Sequence, residues 1–114
     1  MDSNPGKRPG EQLRLTITTL DSRMVVSVAG EVDHLTAARL GDELGAAGLS
    51  GARWVEADFS RVGFCDCSGL NVLLAARSHF RDAGVRFSVF GPVAPAVERL
   101  FQLTGTGPLL QETA

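Results

Sequence analysis

Arg53-Trp54-Val55-Glu56-Ala57-Asp58-Phe59, a connection over Ser60 to Cys65, and then Asp66-Cys67-Ser68-Gly69-Leu70-Asn71-Val72-Leu73-Leu74-Ala75-Ala76 form the stretch on which the fold turns. Its first part reads as a strand and the connection as a loop. Asp66, Cys67 and Ser68 then stand at the mouth of a helix running from about Gly69 to Asp82, which Ala83-Gly84 stops. Val85-Arg86-Phe87-Ser88-Val89-Phe90 is a further strand. Strand, helix and strand in that order make a crossover unit, whose strands run parallel with the helix on the sheet face.

Upstream, Leu13, Leu15 and Ile17 alternate with Arg14, Thr16 and Thr18, the period of two of a half-buried strand over Leu13 to Thr19. Leu20-Asp21-Ser22-Arg23 supplies a turn, and Met24 to Ala29 is a β-branched run closed by Gly30, so the two strands pair as a hairpin. Asp33 is placed to cap a helix in which Ala37, Leu40, Leu44 and Ala47 recur at steps of three and four, ending near Gly48. Downstream, Gly91-Pro92 leads into a last helix with Pro95 in its first turn, Val93, Val97, Leu100 and Phe101 on one face, and Gly105 beyond its end. Leu109 and Leu110 either add a short strand or fray. The expected fold is α/β, order β-β-α-β-α-β-α, with helices packed on a sheet of four or five strands. Residues 1–12 are expected to be a flexible lead-in, 13–110 the domain and 111–114 a tail.

Composition narrows the function classes. The chain has 114 residues, 44% of them apolar, which suffices for one modest core and no second domain. A net charge of -2 without any Lys/Arg run gives no source for the counterion release that drives nucleic-acid binding. No stretch resembles a signal-peptide core or a membrane span, so the chain is expected in the cytoplasm and off the membrane. Cys65 and Cys67 are too close in sequence for an unstrained disulfide and read as reduced thiols. With His34 and His79 they lack zinc-ligand spacing, so no metal is expected. No dinucleotide, Walker or nucleophile-elbow motif is present, and neither a cofactor nor an enzymatic activity is expected.

Two local features point to a docking protein. Leu70, Val72, Leu73, Leu74, Ala75 and Ala76 cover nearly the whole circumference of the second helix, more apolar surface than a sheet can bury. Either a partner covers the surplus or the flanking helices do. The start of that helix, with its short side chains, presents unpaired N–H groups and a partial positive charge, suited to an anion. A phosphoryl group there would add about two negative charges beside Asp66 and repel a docked partner. N-capping by Asp66 or Ser68 alone also accounts for these residue types.

Gly30-Glu31-Val32-Asp33-His34-Leu35-Thr36-Ala37 resembles the Gly-Glu-Leu-Asp-His-x-Thr-Ala segment of STAS-domain anti-sigma-factor antagonists. Asp58 to Leu70 resembles their Asp-Leu-Ser-x-Val-x-Phe-x-Asp-Ser-Ser-Gly-Leu signature, and Pro95 to Gly105 their closing helix. The resemblance implies a STAS-type sandwich and partner switching: the antagonist binds an anti-sigma factor that is also a serine kinase, and the sigma factor is released. Phosphorylation of the first signature serine ends the association until a phosphatase restores it. Carried over residue by residue, the implied partner-binding positions are Asp33, His34, Asp66, Cys67, Ser68, Gly69, Leu70 and Asn71. This sequence departs from the pattern where the phospho-acceptor serine is replaced by Cys67. Three consequences stay open: Ser68 substitutes as acceptor, the chain is a permanent antagonist, or Cys67 brings thiol-based redox control. A STAS sensing or assembly module of a larger regulatory complex is the rival from another class.

Overall fold

The computed structural model describes residues 13–111. The readings of 1–12 as lead-in and of 111–114 as tail fall, Gln111 apart, outside these residues. Four strands form one sheet in the order β1-β2-β3-β4: Leu13–Leu20, Arg23–Val32, Trp54–Cys65 and Arg86–Phe90. The hairpin pair β1 and β2 is antiparallel, with Leu20 opposite Arg23 across the turn, where Asp21 takes a left-handed φ of 56°. The β2–β3 and β3–β4 pairs are parallel, as crossover connections require. The helices are α1 Ala37–Gly48, α2 Cys67–Asp82, α3 Pro95–Thr104 and α4 Gly107–Leu110. The α/β sandwich expected from the sequence is therefore the fold, with a mixed sheet of four strands.

The core forms where Val26, Val28 and Val32 of β2 meet Val55, Ala57, Phe59 and Val62 of β3, closed over by Leu40 and Leu44 of α1 and Leu73 and Phe80 of α2. Burying each of the valine, leucine and phenylalanine side chains is worth about 1.5–3 kcal/mol. α1 and α2 lie against each other closely enough that a Cβ at Gly48 would run into the ring of Phe80. Gly105, with φ 71°, ends α3 in the left-handed conformation open to glycine.

Four sequence expectations change. The stretch Ser60 to Cys65 is strand and not loop: β3 continues alongside β2, matching Ala29 with Arg61, Gly30 with Val62, Glu31 with Phe64 and Val32 with Cys65 across two register shifts. The bulges break the alternation that marks a strand in sequence, and pairing supplies what the pattern lacks. α1 starts at Ala37 with Thr36 as its N-cap, so Asp33 does not cap it. Leu109 and Leu110 belong to the short helix α4, which puts Leu110 fully into the core. The apolar surplus of α2 is largely taken up inside the fold: Leu70, Leu73 and Phe80 are buried and Val72, half-buried, meets Gly41 of α1, while Leu74 and Ala76 are half-buried and Ala75 stays exposed. None of the exposed large apolar side chains lies on α2.

Candidate partner-docking site

β2 and β3 end side by side, with Val32 opposite Cys65. The next residue on each strand is an aspartate, Asp33 on one and Asp66 on the other, and Asp66 N donates to Val32 O at 3.0 Å. The two sequence segments thus meet on one surface at the carboxyl ends of parallel strands, where open α/β sheets place their sites.

Asp66 is the N-cap of α2. Its Oδ1 accepts from Ser68 N at 2.9 Å and from Gly69 N at 3.4 Å. The expectation of several unpaired N–H groups at this helix start is corrected accordingly, because the aspartate itself occupies two of the donors. An arriving anion would have to displace or repel that carboxylate. Cys67, the first helical residue, is exposed. Ser68 is half-buried and one position further round, turned by about 100° from Cys67. Asn71, one turn on from Cys67, is exposed.

Gly69 and Leu70 lie inward. A Cβ at Gly69 would stand 2.5 Å from Val32 Cγ1 and 2.7 Å from Cys65 Sγ, so only glycine lets α2 approach the two strand ends. Leu70 is 4% exposed. Their role at the site is to set the helix start in place, while the accessible positions of the segment are Cys67 and Asn71, with Asp66 and Ser68 partly so.

The neighbouring turn is built on Asp33. Its Oδ1 accepts from Leu35 N at 2.9 Å and Thr36 N at 3.1 Å. The Leu35 bond above all holds the Asp33 carboxyl below its ordinary range; burial, the next effect in size, opposes it, and the bonds to Thr36 and the charge of His34 add to the lowering. His34 and Leu35 are left exposed at the crest. Thr36 is completely buried: its hydroxyl donates to Glu31 O at 2.9 Å and accepts from Asp33 N at 2.9 Å. Sequence reasoning missed Thr36, and it missed Leu35 and Phe64, which are 50% and 43% exposed beside the two aspartates. The signal for Phe64 lay in its neighbour: with Cys65 facing the core, Phe64 must face out of the sheet.

The two cysteines differ. Cys65 is buried at the end of β3, and burial above all, with the charges of Asp66 and Cys67, pushes its thiol up to about 12. It stays a neutral thiol at physiological pH. Among the described residues no group of His, Cys, Asp and Glu stands ready to hold a metal ion. No helix among them is long and apolar enough to cross a membrane.

A family model described as "Mlab, STAS domain" matches residues 15–111. Among solved structures, an anti-sigma factor antagonist from Mycobacterium paratuberculosis is similar at 30% identity, over 89% of this chain and 86% of its own, with a TM-score of 0.73. The anti-sigma factor antagonist SpoIIAA in its unphosphorylated form shares the fold at 23% identity over 89% of both chains, TM-score 0.73. SpoIIAA of Bacillus in its phosphorylated form shares it at 23% identity over 90% of this chain and 91% of its own, TM-score 0.65. No curated protein sequence matches the chain.

Proposed function

Since the chain belongs to the STAS domain family and has an anti-sigma factor antagonist among its structural relatives, we propose that it docks onto an anti-sigma factor that is also a serine kinase and so frees the sigma factor. The observation that carries this reading is the paired ends of β2 and β3, which gather Asp33, His34, Asp66, Cys67, Ser68 and Asn71 on one face. Gly69 and Leu70 contribute by holding the helix start against Val32 and Cys65. The chain then acts as a binding protein in the cytoplasm and catalyses nothing itself.

The docking is permanent. The exposed position where a phosphate would be received holds the thiol of Cys67, which cannot form the serine phosphate ester. Ser68 is half-buried, and its N–H is engaged by Asp66, which sets it away from the exposed position. A phosphatase would have no substrate on the wild-type chain. Redox control through a Cys65–Cys67 pair is disfavoured by the burial and high pKa of Cys65.

Incubation with ATP and a candidate anti-sigma kinase, followed by co-elution and intact-mass measurement, tests this. Stable co-elution without mass gain is expected for the wild type, and a gain of one phosphoryl group, with loss of co-elution, for Cys67→Ser. Absence of co-elution would remove the anti-sigma partner. A phosphate mapped to Ser68 of the wild type would instead remove only the permanence. Co-elution with a partner devoid of kinase activity would instead favour a STAS assembly module of a larger complex.

A further inference from the structure

The docking face lies at one end of α2, and the other end carries arginines. Arg77 and Arg81, one turn apart on α2, Arg86 at the start of β4, Trp54 and Ser88 line an open cleft of about 350 Å³ along the free edge of β4. That volume falls within the range of roughly 300–1,000 Å³ in which proteins hold small ligands. Among the described residues no carboxylate pairs with any of these three arginines. The nearby acid, Glu56, is buried and already faces Arg23, whose Nε lies 2.9 Å from its Oε1.

Two of the three guanidiniums are also held in place. Arg86 sits 4.8 Å from the centre of the Trp54 ring, and Trp54 Nε1 donates to Ser88 Oγ at 3.4 Å. Arg77 is anchored through Nε to Leu109 O, which leaves its terminal nitrogens for another acceptor. The negative end of the helix dipole accounts for Arg81 in the last turn of α2. It does not account for Arg86, which stands on the neighbouring strand, nor for Arg77 a turn earlier. Like charges one turn apart work against each other until an anion joins them.

We propose that this cleft binds a small anion carrying two or more phosphoryl groups, gripped by the planar forks of Arg77, Arg81 and Arg86. It stands about 20 Å along α2 from Ser68, so it is a separate site from the docking face and does not depend on the reading of that face.

Calorimetric titration of the full chain with pyrophosphate, tripolyphosphate and ATP tests the site. The emission of Trp54, the only tryptophan, is followed in parallel. Saturable binding that weakens with added salt is expected, at least tenfold weaker in the Arg81→Gln/Arg86→Gln variant with its urea midpoint unchanged. Arg14→Gln/Arg61→Gln, in the groove formed by β1, β2 and β3, should leave binding as it is. Tighter binding of ATP than of tripolyphosphate assigns the site to a nucleotide, and equal binding assigns it to the phosphates alone. No saturable binding at millimolar ligand overturns the proposal, as does binding undiminished in Arg81→Gln/Arg86→Gln. So does an acidic peptide of equal charge that binds as tightly as the phosphates.

Discussion

Two segments of this chain leave adjacent parallel strands in register and yet begin their helices differently. After β2 comes Asp33-His34-Leu35-Thr36-Ala37, and after β3 comes Asp66-Cys67-Ser68-Gly69-Leu70. In both, the aspartate Oδ1 accepts the N–H groups two and three residues on. The fourth residue decides the outcome. Thr36 sends its hydroxyl back to Glu31 O and takes the Asp33 N–H, closing a turn that must finish before α1 begins at Ala37. Gly69 sends nothing back and occupies no space, so α2 starts at once and settles onto Val32 and Cys65. One aspartate therefore supports an exposed turn, and the other puts Cys67 at the first position of a helix. The proposed docking face thus has two unlike halves, set apart by the side chain at the fourth residue.

The largest effect should come from filling the space at Gly69. In Gly69→Val the new Cβ meets the branched side chain of Val32, which cannot swing aside as a flexible chain would, and a loss of about 3 kcal/mol is expected in urea denaturation. A loss below about 1 kcal/mol would mean that α2 can slide outward at small cost. Next comes Thr36→Val, which keeps the shape but leaves Glu31 O and Asp33 N without the hydroxyl they share. About 2 kcal/mol is expected there. Asp66→Ala removes only the cap, for about 1 kcal/mol. If Asp66→Ala proves costlier than Thr36→Val, the contrast drawn between the two helix starts is reversed.

Most of the architecture was legible because hydrophobic period and turn residues act locally. The alternation from Leu13 to Thr19, the recurrence of Ala37, Leu40, Leu44 and Ala47, and Gly105 beyond α3 each declare their element. What stayed hidden depends on contacts distant in sequence. Ser60 to Cys65 becomes strand only because β2 lies alongside. The circumference of α2 resembled a docking surface, but Leu70 and Leu73 turn inward and Val72 packs against α1, which leaves only Ala75 of that run exposed. At the site, Asp66 and Cys67 could be placed from the helix-start pattern. Gly69 and Leu70, which belong to the same signature, turn out to hold the site up from beneath. Thr36 carries no sign in the sequence that its hydroxyl would be buried between two backbone groups.

The smallest effect concerns charge at Asp33. Its carboxyl titrates below the ordinary range because the Leu35 and Thr36 N–H groups, and the charge of His34, favour the ionised form. A folded value below the unfolded one, which is about 3.9, contributes stability that is present above the unfolded value and is lost as pH falls through the folded one. The site is open to solvent, so the contribution is small. Asp33→Asn keeps an oxygen that can accept the same two N–H bonds but removes the charge. At neutral pH the variant should be slightly the less stable, and the gap should close as the pH falls below about 4. Urea midpoints of both proteins across that acid range give the answer. A gap that stays constant down to the acid limit would show that hydrogen-bond geometry alone, and not the carboxylate charge, holds this half of the proposed docking face, leaving Thr36 as its main support.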